Sequence, residues 1–182
     1  FIKSDDFHVD PDHHVIGGKG LVMALGAKLE VPEIFFSTGG GASNSAVTFA
    51  RQELKTAAIC RVGRDENGQM IKNDLEREKV EPFLIYDLKH QTGYSTILIS
   101  ESGERTILVY RGAAGFLEFG ELPLEKISAK WAYIAPGSMS LESLVKLTEV
   151  LAGRGVKIAL DPSRTQLELG LKKLTPILNK IS

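Results

Sequence analysis

The sequence predicts an α/β domain, a parallel sheet built by strand-helix alternation with a small antiparallel sheet inserted into it. Three observations predict it. From Gly39 to Lys79, short apolar runs alternate with stretches whose apolar residues recur at helical spacing. The same alternation resumes from Trp131 to Leu178. Strand-helix alternation is the sequence sign of parallel strands joined by crossover helices. Between these blocks, two β-rich runs flank a polar stretch of hairpin-loop length, which suits an antiparallel insertion.

The opening, Phe1 to Pro32, is irregular and collects Asp5, Asp6, His8, Asp10, Asp12, His13 and His14. Metal sites draw ligands from spaced positions, so this crowding around Pro11 suits a solvated loop, and no metal is expected there. Ala42 to Leu54 places Ala42, Ala46, Val47, Phe49, Ala50 and Leu54 on one helical face. Thr56 to Val62, bounded by Gly63, reads as a buried strand containing Cys60, there a small core residue. Glu66 to Lys79 carries Met70, Ile71 and Leu75 on one side with charges elsewhere, an amphipathic helix.

Tyr94 to Ser100 and Arg105 to Tyr110 read as a hairpin around Glu101-Ser102-Gly103-Glu104, with Pro82 to Leu88 as a third antiparallel strand. Trp131 to Ala135 reads as a strand and Pro136-Gly137 as a turn. Leu141 to Leu151 has Leu144, Val145, Leu147, Val150 and Leu151 on its apolar face, and Gly153 and Gly155 are its stop signals. Val156 to Leu160 is another buried strand, ending at Asp161-Pro162, and Leu167 to Leu178 reads as a helix broken at Pro176.

Composition excludes several partners. The chain of 182 residues is 43% hydrophobic and 25% charged, the balance of one globular domain. Its 22 basic and 23 acidic side chains leave a net charge of -1, so neither a nucleic-acid backbone nor an anionic membrane surface is an expected partner. The longest apolar stretch, Val15 to Ala27, is interrupted by Lys19 and glycines and is too short to span a bilayer. A single cysteine, Cys60, permits no internal disulfide and fits a reducing, cytoplasmic setting. The chain opens on Phe1 without an export signal and runs to Ser182 without a stop signal, so a piece of a longer protein, truncated at both ends, is expected.

Two motifs carry candidate chemistry. Gly39-Gly40-Gly41-Ala42-Ser43-Asn44 precedes a helix; glycines allow close backbone approach, and the helix head offers unpaired N–H donors. Asn44 stands where a dinucleotide fingerprint needs glycine, and no Gly-Lys-Ser/Thr ends the run, so both phosphate-binding patterns fail. A glycine pair followed by an amide that donates and accepts suits the hydroxyls of a polar small molecule. It equally suits a tight turn with Asn44 as helix cap. The second motif, Val62-Gly63-Arg64-Asp65-Glu66-Asn67-Gly68, ends a strand, where ligands of open α/β sheets gather. Asp65 there either accepts from a ligand hydroxyl or caps the next helix, and capping is the better local reading.

Gly39-Gly40-x-Ala42-x-Asn44-x-Ala46 followed by Val62-Gly63-x-Asp65-x-x-Gly68 resembles the first signature of the ribokinase (PfkB) family of sugar kinases. Thr92-Gly93-Tyr94-Ser95, Gly103-Glu104-Arg105-Thr106 and Arg111-Gly112-Ala113 are similar to that family's lid region. The similarity spans Thr38 to Asn179, with Glu53 standing where the signature usually has Gly or Ser. The resemblance implies a ribokinase-like three-layer α/β sandwich in which residues 1–182 form a partial domain, with a lid insertion at approximately 82–112. It implies an ATP-dependent kinase acting on a hydroxyl of a small carbohydrate, with homodimerisation through the lid sheet. A nucleoside kinase is the nearest rival within the family, and a catalytically silent binding module is the reading from another class.

By the same resemblance, Gly39, Gly40 and Asn44 contact sugar hydroxyls, while Tyr94, Tyr110 and Arg111 fall where ketodeoxygluconate kinases place lid residues on a sugar acid. Arg105 and Asp65 are further candidates. Asp161-Pro162-Ser163-Arg164 is similar to the Asp-x-Asn-x-Arg segment of those kinases and of fructokinases, with Ser163 in place of Asn. Arg164 offers a planar fork of donors to a carboxylate or phosphate. The family's catalytic Asp in a Gly-Ala-Gly-Asp stretch, its metal-linked Asn-x-x-Glu segment and its early substrate-binding Asp have no counterpart here. The catalytic residues are therefore expected beyond Ser182, with ATP and Mg2+ bound mainly there, and this chain alone is expected not to transfer phosphate.

Overall fold

The computed structural model describes residues 7–11, 19–23, 25–31, 33–99 and 103–182. Strands β1 (Phe7–Pro11) and β2 (Lys19–Met23) pair antiparallel, with Phe7 opposite Met23 and Pro11 opposite Lys19. The opening expected to be irregular thus holds a ribbon, whose short strands give too few alternations to register in sequence. Asp5, Asp6, Asp12, His13 and His14 lie outside the described residues.

Helix α1 (Gly41–Arg51) follows the glycine run. Just past its end, Glu53 adopts a φ of 64°, the left-handed region in which glycine is unstrained and a β-carbon is crowded. The position where the resembled signature usually carries Gly or Ser therefore has a conformational reason for glycine. Strand β3 (Ala57–Gly63), helix α2 (Glu66–Arg77) and strand β4 (Glu81–Asp87) come next. β3 and β4 are parallel, in register from Ala57 opposite Glu81 to Gly63 opposite Asp87. This corrects the reading of Pro82 to Leu88 as a third antiparallel strand. α2 supplies the long crossover that parallel pairing needs, so the segment belongs to a βαβ unit.

β5 (Tyr94–Ile99) and β6 (Arg105–Tyr110) form a two-stranded sheet of their own. The connection through residues 100–104 is too short for a parallel crossover and leaves antiparallel pairing. A 3-10 turn at Gly112–Phe116 leads out of β6. β7 (Trp131–Ile134), α3 (Leu141–Gly153) and β8 (Lys157–Leu160) make a second βαβ unit, parallel from Trp131 opposite Lys157 to Ile134 opposite Leu160.

The last helical stretch divides into α4 (Arg164–Leu167) and α5 (Leu171–Leu178). The break falls at Gly170, with φ 81°, and not at Pro176, which lies inside α5. Proline removes the hydrogen bond to the carbonyl four residues back; here that carbonyl belongs to Lys172, an exposed residue.

Parallel pairing thus occurs as two ladders, each with its own apolar cluster. One gathers Ala46, Ala58, Leu75 and Val80 between α1, α2 and the β3–β4 pair. The other gathers Ile134, Leu144, Leu147, Ile158, Leu174 and Ile177 between the β7–β8 pair, α3 and α5. α1 touches both ladders, and its Phe49 ring meets Tyr133 of β7 edge-on at 5.6 Å. The larger compact unit comprises Thr38–Tyr94 and Arg111–Ser182; the smaller comprises Ser95–Tyr110 with the described residues up to Ser37.

Candidate functional site

The carboxyl ends of β3, β4, β7 and β8 run into Arg64, Leu88, Ala135 and Asp161, and ligands of open α/β sheets collect beyond such ends. The head of α1 is set against this rim. A β-carbon on Gly41 would lie 2.8 Å from that of Ala135, a separation that only glycine makes possible.

Gly40 occupies φ 102°, ψ 151°, a region essentially closed to residues with a β-carbon. It is the N-cap of α1 and supplies no side-chain cap, and the first turn holds no acidic residue. The first-turn N–H donors are left to water or a ligand. Asn44 is therefore not the cap: it sits inside the helix, its own N–H bonded to the Gly40 carbonyl at 2.9 Å. Its side chain is exposed and unpartnered among the described residues. Gly39 lies beside it, a notional β-carbon there falling 3.8 Å from Asn44 Oδ1. The structure thus brings Gly39, Gly40 and Asn44 together as a small, uncharged, hydrogen-bonding corner.

Asp65 is spent on the protein. Its Oδ1 accepts from Gly68 N at 2.8 Å and from Thr92 Oγ1 at 2.6 Å, and its Oδ2 accepts from Thr92 N at 2.7 Å. Burial pushes its pKa up, but the hydrogen bonds from Thr92 and Gly68 outweigh it and hold the carboxyl below the ordinary value. This carboxylate caps α2 through Gly68 and holds Thr92, so both of its oxygens are engaged within the protein. The open hollow lined by Arg64, Asp65, Gln69 and Tyr86 consequently has no free carboxylate.

Beside this cap lies a cluster that sequence reasoning missed. Asp87, 4% exposed, accepts from the N–H groups of Lys89 and His90 and from Arg61 Nε and Nη2. Arg61 also pairs with Glu121. The Lys89 N–H above all, then the His90 and Arg61 side chains, hold the Asp87 carboxyl far below the usual range. The His90 ring stacks on Phe116 at 4.1 Å, and Ala113 N donates to the Gln91 carbonyl at 2.8 Å. No spacing signal announces the cluster, because Arg61, Asp87 and Glu121 stand on different elements.

The remaining candidates are less engaged. Tyr94 and Tyr110 are 45% and 49% exposed on β5 and β6. Arg105 opens β6, exposed. Arg111 precedes the turn at Gly112, its guanidinium exposed and unpartnered among the described residues. Arg164 is an exposed helix-start charge whose Nε donates to Glu168 at 2.7 Å. It also stands one position before the arginine of the Asp-x-Asn-x-Arg segment, where this chain has Thr165. Ser163 donates to the Gly137 carbonyl at 2.8 Å, and buried Gln166 reaches the Gly137 and Met139 carbonyls. The residue replacing Asn therefore helps to staple the turn after β7.

Comparison with known proteins decides the family. Residues 16–179 match the model of the pfkB family carbohydrate kinases. The chain belongs to this family. It is 30% identical over 134 residues to the ribokinase of Haemophilus influenzae, covering 71% of this chain and 43% of that protein. Its fold matches an uncharacterized sugar kinase from Pyrococcus horikoshii solved in complex with ATP, with a TM-score of 0.61 at 22% identity over 79% of this chain and 50% of that one. It also matches adenosine kinase from Anopheles gambiae, with a TM-score of 0.68 at 14% identity over 90% of this chain and 46% of that one. This pfkB chain spans about half the length of the relatives it matches. Among its described residues no helix is long and apolar enough to cross a membrane.

Proposed function

We propose that the chain is the acceptor-binding and lid portion of an ATP-dependent kinase that phosphorylates a hydroxyl of a small carbohydrate, a sugar acid or ketose in preference. The observation that carries this reading is the head of α1, where Gly40 takes a glycine-only conformation, no side chain caps the helix, and the Asn44 amide is free. A donor-rich, uncharged corner is matched to hydroxyl groups, which both give and receive hydrogen bonds. Arg111, with Tyr94, Tyr110 and Arg105, is assigned to the acceptor's carboxylate or outer hydroxyls on family resemblance. Arg164 joins them only on release from Glu168, a small cost for a surface pair.

On family resemblance, ATP and Mg2+ are assigned mainly to the part of the complete protein that this chain does not span, as is the catalytic base. When bound, they supply the phosphoryl group and its charge neutralisation. The residues of this chain bind the acceptor, orient its hydroxyl and, through the β5–β6 flap, exclude water.

That flap exposes Ile97, Ile99, Ile107, Leu108 and Val109 by 44% to 57%. An isolated two-stranded ribbon is marginal in water, which supports homodimerisation through it. A reducing, cytoplasmic setting completes the proposal.

The test is phosphoryl transfer by the complete protein from ATP to a panel of sugars, sugar acids, ketoses and nucleosides. Transfer to a sugar or sugar acid is expected. The fold shared with adenosine kinases makes a nucleoside acceptor the second reading, and transfer to nucleosides alone would establish it. Binding without transfer would establish a silent module. Residues 1–182 alone are expected to show no turnover.

A further inference from the structure

Thr92 stands two residues before β5 and is 3% exposed. All its polar atoms but the carbonyl are committed to the preceding βαβ unit. Its N–H and hydroxyl both donate to Asp65, and its Oγ1 accepts from Gly63 N at 2.9 Å. The packing admits no slack: a β-carbon on Gly63 would lie 2.6 Å from Thr92 N, and one on Gly68 would lie 2.5 Å from the Gly63 carbonyl oxygen. The returning leg is tied at the same level. Ala113, fully buried, donates to the Gln91 carbonyl, and Gly112 turns there with φ 49°. The outgoing foot of the flap is thus bonded to the carboxylate that caps α2, and the returning foot is bonded to the outgoing one.

Helix capping accounts for only one of the three hydrogen bonds that Asp65 accepts. The other two reach Thr92 across 27 residues of sequence, and a cap has no need of them. We propose that Asp65 is a positioning residue for the transfer reaction, holding Thr92 at the foot of β5 and so ordering the strands that carry Tyr94, Arg105 and Tyr110. The assignment rests on the kinase reading above. Asp65 acts through Thr92 and touches no reactant itself.

Three variants of the complete protein separate this role from capping. Asp65→Asn retains one carbonyl oxygen, enough to cap α2, but turns a donor toward a donor of Thr92 or Gly68. Thr92→Val keeps the shape of Thr92 without its hydroxyl, and Thr92→Ser restores the hydroxyl. Hydrogen-deuterium exchange of Tyr94–Ile99 and Arg105–Tyr110 is expected to accelerate about tenfold in D65N and T92V, the loss expected of a charge-assisted bond. Exchange in α3 and β8 should stay as in wild type, and T92S should restore the flap. In steady-state assays, KM for the acceptor should rise about tenfold while KM for the nucleotide is unchanged.

Unchanged flap exchange in D65N and T92V would overturn the proposal. So would T92S behaving like T92V, or parallel increases in both KM values. A wild-type protein that phosphorylates none of the acceptors would sink the kinase reading instead; the exchange measurement would still decide whether Asp65 governs the flap.

Discussion

Gly41 and Ala135 face each other so closely that a β-carbon on the glycine would come within 2.8 Å of the alanine's own. This contact seats the head of α1 against the end of β7 and thereby places the Gly39–Asn44 corner on the rim of the parallel strands. Gly41→Ala should therefore destabilise by about 1–3 kcal/mol despite alanine's better helix propensity, as overpacking does. Ala135→Gly in the same chain should recover most of that loss. A double-mutant cycle in urea melts checks it, and additive losses would show that the two positions do not meet.

Asn44 offers a cleaner separation of binding from stability. Its amide is exposed and makes no protein hydrogen bond among the described residues, so Asn44→Ala should leave the melting temperature of the complete protein nearly unchanged. Acceptor affinity, read by calorimetry, should fall by about 1–3 kcal/mol, the cost of leaving ligand hydroxyls unpaired. Unaltered affinity would remove Asn44 from the site.

Glu53 and Lys79 carry φ values of 64° and 60° just beyond α1 and α2. Glycine adopts this conformation freely, so Glu53→Gly and Lys79→Gly should each stabilise by roughly 1 kcal/mol, the left-handed penalty less the extra chain entropy of glycine. Thermal melts of the single variants measure this, and a lowered melting temperature would show that the side chains matter more than the backbone.

Acid should weaken the fold through Asp87. Its carboxyl titrates far lower folded than unfolded, through the Lys89 N–H and the His90 and Arg61 side chains. A depressed carboxyl pKa stabilises fully above the unfolded value of about 3.9, and that contribution drains away as pH falls below it toward the folded value. Asp65, lowered by Thr92 and Gly68, acts in the same direction. Asp87→Asn should be less stable than wild type at neutral pH and should lose less on acidification below about pH 4. Urea midpoints at several pH values report both effects, and parallel curves for the two proteins would exclude Asp87 as the source.

Much of this architecture is legible from local pattern. Apolar spacing and turn chemistry act over a few residues, which is why α1, α2, α3, β3, β7 and β8 fall close to where periodicity places them. The Gly39-Gly40 pair with Asn44 is legible for the same reason, since a helix head needs nothing distant to leave its N–H groups unpaired. Asp65 illustrates the boundary. Its cap on Gly68 is a local event that the spacing reveals, whereas its bonds to Thr92 are made across the whole of α2 and β4.

The order of elements, the glycine corner and the pfkB signature were therefore the sequence's own contribution. The tertiary structure decided that β4 runs parallel to β3, that Asp65 is bonded to Thr92, and that Asp87 is held by Arg61. The physical reason is common to all three. A strand's direction and the use of a carboxylate's lone pairs depend on which groups arrive beside them, and packing brings those groups together from positions that no local pattern connects.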